Sequence, residues 1–368
     1  MGDASSTEPR VLIAGGGTGG HVIPALAVAR ELVARHAEVL FVGTARGMET
    51  RLVPEAGFKL RLIEVGPLKN VSLITRLKTA IALPRSLFAC RALIREFRPA
   101  VVFGVGGYAS GPAMAAAILM RVPAMAFEPN AMPGFANRLV GRRVQAAAVN
   151  FPAAAKWFRN AEVTGIPVRP EFFALPAPVG PPRLLVFGGS QGARIFNNAM
   201  PQIAAALFDA VPGLTILHQC GARHLDRTHA AYQASGADAG RWEVRAFLDD
   251  MPAQFAQAHL AMARSGASTV AELAAAGKPA LLIPFAAAAD DHQKRNAEEM
   301  VRAGAALMLT EDQVQAPEKL LDTLTALLAD PPRLDAMSAA ARTQARPDAV
   351  QKIAGRLAEL AREKRTAG

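Results

Sequence analysis

Two cysteines in 368 residues, Cys90 and Cys220, leave no room for a disulfide framework, and they would lie in different domains. A chain of this length buries full cores without disulfides or metal, so a reducing, cytoplasmic setting suits it. Aromatic residues make up only 6%, and no nucleic-acid module is recognisable, so the net charge of +10 does not point to a nucleic acid. No Asp-x-Asp occurs, which removes the usual metal-diphosphate motif; no tightly bound metal and no cofactor are expected. Residues 1–7 lack the apolar core of a secretory signal, so export is not expected. The charge-free stretch 100–120 is long enough to span a bilayer, but Gly104, Gly106, Gly107, Gly111 and Pro112 make it read as strand, turn and buried helix.

What is abundant is basic charge, and it is unevenly spread. Residues 1–165 carry 20 Lys and Arg against 10 Asp and Glu, whereas residues 166–368 balance 21 with 21. A basic half beside a neutral one suggests that one side of the molecule meets a polyanion or an anionic membrane surface. Between Lys69 and Arg98 the cations Lys69, Arg76, Lys78, Arg85, Arg91, Arg95 and Arg98 face one acid, Glu96, and are interleaved with Val71, Leu73, Ile74, Leu77, Ile81, Leu83, Leu87 and Phe88. Pro84 is expected to split this run into two short helices. Such a pattern suits an interfacial membrane helix, with Arg76, Lys78 and Arg85 as headgroup contacts; the other reading is a crossover helix with a solvated basic face.

Along the chain, apolar β-like runs alternate strictly with helical ones, which implies an α/β fold with parallel sheets built from βαβ units. Glycine-rich turns recur at strand ends: 15–20 after Arg10–Ala14, 104–108 at the carboxyl end of Ala100–Val105, and 188–192 after Arg183–Phe187. Ser265-Gly266-Ala267-Ser268-Thr269 forms a further turn before a helix-like run. A glycine turn opening a helix lets backbone N–H groups and the positive end of the helix dipole meet an anion. Six prolines between 164 and 182 mark an interdomain linker. The expected domains are 1–164, a linker at 165–182, 183–345, and a C-terminal helix at 346–368 that packs back on the first domain. The stretch from about Pro332 to Arg365 reads as helical throughout.

Gly15-x-Gly17-x-x-Gly20 formally matches the dinucleotide fingerprint of an oxidoreductase. That fold also calls for an acid at the end of the second strand, and Val42-Gly43-Thr44-Ala45-Arg46 offers none. The terminal His21 points to chemistry rather than cofactor binding.

Taken in order, Gly-Gly-Thr-Gly-Gly-His (16–21), Gly-Gly-Tyr (106–108), Glu-Pro-Asn (128–130), Thr-Gly-Ile-Pro-Val-Arg (164–169), Gly-Gly-Ser-Gln-Gly-Ala (188–193), Arg-Ser-Gly-Ala-Ser-Thr-Val-Ala-Glu (264–272), Pro-Phe (284–285) and Asp-Asp-His-Gln-x-x-Asn-Ala (290–297) closely resemble the MurG family, glycosyltransferase family 28. The resemblance runs from about residue 10 to about residue 345. It implies a GT-B fold, two doubly wound Rossmann-like domains with parallel sheets facing across a cleft. It also implies an inverting hexosyltransferase that moves N-acetylglucosamine from UDP-N-acetylglucosamine to the 4-hydroxyl of the muramyl sugar of undecaprenyl-pyrophosphoryl-MurNAc-pentapeptide (lipid I), giving lipid II.

Residue by residue, the resemblance implies donor contacts from Thr18, Gly19, Gly20, Asn130, Arg169, Ser190, Leu248, Ala267, Ser268, Thr269, Val270, Ala271, Glu272 and Gln293. Glu272 would take the ribose hydroxyls, Leu248 the uracil edge, and Gln293 and Asn130 the sugar. Gly17, Thr18, Gly19, Gly20, Gly106, Gly107 and Tyr108 would hold the acceptor diphosphate. His21 is the candidate general base, histidine being the residue type whose ordinary pKa lies nearest neutrality, and Glu128 is the rival. Implied partners are lipid I, the anionic cytoplasmic face of the bacterial inner membrane, and other wall-synthesis and division proteins. Pro129 stands where many relatives have Gln, residues 286–289 are featureless beside the sugar site, and His292 replaces a second glutamine, which leaves fine sugar selectivity open. A GT-B transferase of another membrane lipid, such as diacylglycerol, and a non-catalytic nucleotide-sugar-binding subunit are the competing functions.

Overall fold

The computed structural model describes residues 8–65 and 73–366, and for residues 73–83, 289, 365 and 366 the backbone alone. The apolar runs seen in the sequence become short strands buried almost end to end, as expected where helices cover both faces of a parallel sheet. The chain divides into two compact units, one running to Pro167 and resuming at Asp348, the other spanning Val168–Pro347.

In the first unit seven parallel strands, β1 (Arg10–Gly15), β2 (Glu38–Gly43), β3 (Lys59–Leu62), β4 (Val101–Gly106), β5 (Ala124–Glu128), β6 (Ala146–Val149) and β7 (Ala161–Val163), lie in the order 3-2-1-4-5-6-7. In the second, β8 (Arg183–Phe187), β9 (Thr215–Gln219), β10 (Trp242–Arg245), β11 (Leu260–Ala263), β12 (Ala280–Leu282) and β13 (Ala306–Met308) lie in the order 10-9-8-11-12-13. Both sheets reverse direction of growth at a central pair, β1 with β4 and β8 with β11. Ligands of doubly wound sheets sit beyond the carboxyl ends of such pairs. All four turns singled out in the sequence leave these four strands, so the topology delivers them to the two places where doubly wound sheets receive ligands.

Two local expectations are corrected, and two strands enter that the sequence pattern did not indicate. Pro84 does not end its helix: Leu73–Phe97 is continuous, because a proline deletes one donor without removing the helical bonds on either side. The stretch after Pro332 is not helical throughout but forms Pro331–Thr343 and Ala349–Thr366, broken just before Pro347, whose ring disfavours helical geometry in the preceding residue. Strands β6 and β7 carry the weakly β-forming sequences AAAV and AEV and are fixed by pairing with β5 and with each other rather than by propensity.

Helix Ala349–Thr366 belongs to the first unit, where Ile353, Ala354, Leu357, Leu360 and Ala361 are buried and Lys364 Nζ donates to Pro99 O at 2.9 Å. Among the described residues no helix is long and apolar enough to cross a membrane.

Candidate functional site

In the first unit the loop Gly15–Thr18 opens helix Gly19–Ala34, which has no side-chain cap and no acid in its first turn. Its leading N–H groups are therefore open to an anion. His21 lies in that first turn, with Nδ1 3.3 Å from Thr18 Oγ1. The ring covers the backbone of Gly106, where a Cβ would meet it at 2.8 Å. Gly16 N donates to Gly106 O at 3.3 Å, and Gly107 packs so tightly on the Gly16 carbonyl that no side chain fits. The loops after β1 and β4 are thus one interlocked surface, with Tyr108 exposed at its edge. The residues that the resemblance groups, Gly17, Thr18, Gly19, Gly20, Gly106, Gly107 and Tyr108, lie on or next to the two loops that these contacts join.

Glu128, at the end of β5, is 2% exposed. Its Oε1 accepts from Asn130 N at 3.0 Å and Asn130 Nδ2 at 3.2 Å, and its Oε2 from Gly134 N and Asn137 Nδ2, both at 3.0 Å. Burial pushes its pKa up while these donors pull it down, with burial the larger effect. Four donors occupy the carboxylate, which holds residues 128–134 in shape. Asn130 is oriented by the same bonds.

In the second unit the loop 188–192 is folded back on itself by Gly192 N donating to Gly189 O at 2.8 Å and is tied to β9 by Gln219 Nε2, which donates to Gly189 O at 3.0 Å. Gly192 lies against the Cys220 carbonyl, where a Cβ has no space. Ser190 is exposed on this loop. Helix Ala267–Ala275 starts at Gly266 with no side-chain cap and no acid in its first turn, so the amides of Ala267, Ser268 and Thr269 sit at an open positive end. Val270 is buried and Ala271 half-buried. Glu272 follows on the same helix, and burial raises its pKa to about 7, with the Arg169 guanidinium pulling against that rise. Arg169 is also 5.0 Å from the centre of the Phe172 ring. Leu248 is buried beside an exposed Phe247, and Gln293 accepts from Phe285 N at 3.0 Å, leaving its amide N–H groups to other partners. A cavity of about 730 Å³ is lined in part by Gly188, Ala193, Arg194, Arg264, Phe285 and Gln293.

Arg85 is exposed on helix Leu73–Phe97, and Phe88 beside it is 65% exposed. The side chains of Arg76 and Lys78, and the whole of Lys69 and Val71, lie outside the described residues. Among the described residues no group of three His, Cys, Asp or Glu is placed to hold a metal ion.

Several further side chains pin these loops in place. Ser265 Oγ donates to Gln293 O at 2.8 Å and Asn296 Nδ2 donates to Ser265 O at 3.1 Å, pinning the loop before Ala267 to the helix that carries Gln293. Arg264 donates to the Ile283 and Pro284 carbonyls, each at 3.1 Å, and pairs with Glu311. Glu49, 1% exposed, accepts from Gly17 N at 2.6 Å. The acid that the sequence lacks at the end of β2 is supplied six residues further on, from the start of a helix, and it binds the protein's own loop.

Residues 11–149 match the model of the glycosyltransferase family 28 N-terminal domain, and residues 183–353 that of its C-terminal domain. The UDP-N-acetylglucosamine–N-acetylmuramyl-(pentapeptide) pyrophosphoryl-undecaprenol N-acetylglucosamine transferase of Solibacter usitatus is 45% identical, covering 97% of this chain and 98% of its own. The protein of the same name from an Anaeromyxobacter species is 44% identical over 96% and 94%. The crystal structure of Acinetobacter baumannii MurG superposes with a TM-score of 0.82 at 30% identity, covering 95% of this chain and 99% of that one. Interlocked glycine loops in one unit, open helix ends at the switch point of the other, and matches to both halves over nearly the whole length lead to one conclusion: the chain belongs to the MurG family of glycosyltransferase family 28.

Proposed function

We propose that this protein transfers N-acetylglucosamine from UDP-N-acetylglucosamine to the 4-hydroxyl of the muramyl sugar of lipid I, forming lipid II. The observation that carries the reading is that each unit has glycine turns opening uncapped helices at its switch point, an arrangement suited to anions. A donor with a diphosphate and an acceptor with a diphosphate need two such sites, whereas a donor-binding subunit needs one.

In the second unit, loop 188–192 with Ser190 and the amides of Ala267–Thr269 receive the donor diphosphate. Glu272 accepts from the ribose hydroxyls, Arg169 neutralises phosphate charge, backbone at Leu248 reads the uracil, and Gln293 binds the sugar. In the first unit, Thr18, Gly19, Gly20, Gly107 and Tyr108 receive the acceptor diphosphate, and Asn130 is a polar contact for the donor sugar.

His21 acts as general base. In the tautomer whose Nδ1–H donates to Thr18 Oγ1, 3.3 Å away, Nε2 carries the lone pair that takes the proton of the 4-hydroxyl. The oxygen then forms its bond to the anomeric carbon on the face opposite UDP, the bond from that carbon to the phosphate oxygen breaks, and UDP leaves with the electron pair. The result is a β-1,4 linkage. Helix ends and Arg169 stabilise the charge on UDP, the role a metal plays elsewhere. Glu128, engaged by four donors, shapes its loop instead of taking the proton.

The acceptor is anchored by a polyprenyl chain, so the protein works at the cytoplasmic face of the inner membrane as a peripheral protein. The basic and apolar helix Leu73–Phe97, through residues such as Arg85 and Phe88, is its contact with anionic lipid. Incubation with labelled UDP-N-acetylglucosamine and short-chain lipid I should yield the labelled disaccharide. Transfer to diacylglycerol but not to lipid I would replace this function with the other lipid transferase.

A further inference from the structure

Two carboxylates are buried in the first unit among the described residues, and only Glu128 belongs to a motif. The other, Glu49, is the first residue of helix Glu49–Glu55, and its side chain points down the axis of the glycine cluster instead of out to solvent. Oε2 accepts from Gly17 N at 2.6 Å, and Oε1 accepts from Thr44 N at 2.9 Å and Thr44 Oγ1 at 3.0 Å. Gly16, Gly43 and Gly47 line its path, and a Cβ at any of them would collide with the side chain. Next to it, Met48 N donates to Gly17 O at 3.1 Å, so Gly17 is bonded at both its N–H and its carbonyl.

A carboxylate that collects N–H groups from a glycine turn does from inside the protein what a phosphate does from outside. One consequence is that Gly17 N–H is already used, which leaves the amides at the start of helix Gly19–Ala34 as the positions for a ligand. Another follows along the chain. Gly17 precedes Thr18, whose hydroxyl touches His21 Nδ1, and the His21 ring rests on Gly106. Fixing Gly17 fixes both the anion site and the imidazole.

We propose that Glu49 is a positioning residue for the transfer, a resident carboxylate that orders the first glycine loop in the absence of any ligand and so sets Thr18 and His21 before the acceptor arrives. The proposal rests on the reading of this loop as the acceptor and proton-transfer side. The carboxylate is needed for a chemical reason: it presents an acceptor oxygen in each of two directions, to Gly17 and to Thr44. A glutamine presents one, and in either orientation its NH₂ group would face a backbone N–H.

The test uses the full chain with Glu49→Ala, Glu49→Gln and Glu49→Asp, assayed with UDP-N-acetylglucosamine and short-chain lipid I. For Ala and Gln, kcat/KM for the acceptor should fall by about tenfold or more, the scale of a small misplacement of reacting groups, while UDP affinity by calorimetry stays unchanged. Acetate should restore part of the activity of Glu49→Ala, whose hole it fits. Acetamide should not, and acetate should do nothing for Glu49→Gln, whose hole is filled. Should Glu49→Ala fail to fold, the order of the other two carries the test: Asp, which keeps both acceptor oxygens, should be more active than Gln. Unchanged acceptor kinetics, equal rescue by acetamide, or Gln outperforming Asp would overturn the proposal. His21→Ala in the same assay separates the two readings: normal turnover there removes the base while the acetate rescue still reports on Glu49.

Discussion

His21 and Glu128 differ in what holds them. Glu128 receives four N–H donors from its own loop, whereas His21 is held through Nδ1 and by the backbone beneath its ring. His21→Ala should therefore lower turnover by about 10²–10⁴-fold with UDP binding nearly intact. Glu128→Gln should act mainly on stability and loop order; loss of turnover confined to Glu128→Gln would exchange the two roles. Glu272 adds a pH signature. Burial raises its pKa to about 7, and on the proposed role the ribose hydroxyls bind the ionised form, so binding would expel a proton from the fraction that carries one. Affinity for UDP-N-acetylglucosamine should be full above about pH 7 and decline as pH drops below it, and Glu272→Gln should flatten that curve. Glu272→Ala should cost roughly 1.5–3 kcal/mol of affinity, measured by calorimetry. At this scale the sequence pointed to candidates that sit in ordered motifs and hid the long-range bonds that hold them. Glu49 looks like an ordinary helix acid, and Ser265, although inside a motif, shows nothing of the bond it makes, since their partners lie 32 and 28 positions away. The one local trace of Glu49 is the placing of Gly43 and Gly47 on either side of Thr44.

Helix Leu73–Phe97 is an element whose composition exceeds what packing requires. Cys90, Leu93 and Ile94 are buried against the sheet, yet Arg85 and Phe88 face outward. Each cation near an anionic surface contributes about 1 kcal/mol, so a few of them give reversible, salt-sensitive adhesion. Co-sedimentation should show binding to anionic vesicles, little to neutral ones, loss at high salt, and a large loss when Arg76, Lys78 and Arg85 are replaced by Glu. Equal binding by wild type and triple variant would assign lipid contact to another surface. Elements were legible where aliphatic runs were long, as in β1, β4 and β8. They were hidden where a neighbour decides the outcome: β6 and β7 are strands because β5 offers an edge, and Pro84 stays helical because the turns on both sides hold.

The two units were legible as two glycine-punctuated alternations, but the path of the chain between them was only partly so. The second unit is a single continuous segment, 168–347, inserted before the last helix of the first. Removing residues 349–368 should strip Ile353, Leu357 and Leu360 from their places against the first unit, a loss of roughly 5 kcal/mol or more at 1.5–3 kcal/mol per large side chain. Calorimetry should then show one transition lowered and the other, which UDP raises, unmoved. The same arrangement imposes an order on synthesis. When Pro167 leaves the ribosome, the first unit still lacks the helix that covers helix Gly19–Ala34, and about 180 residues must follow before that helix emerges. At 5–20 residues per second this is a wait of roughly 10–40 s, during which the second unit can finish folding. The half made first is thus completed last, and for that interval its exposed apolar face is the natural client of a chaperone.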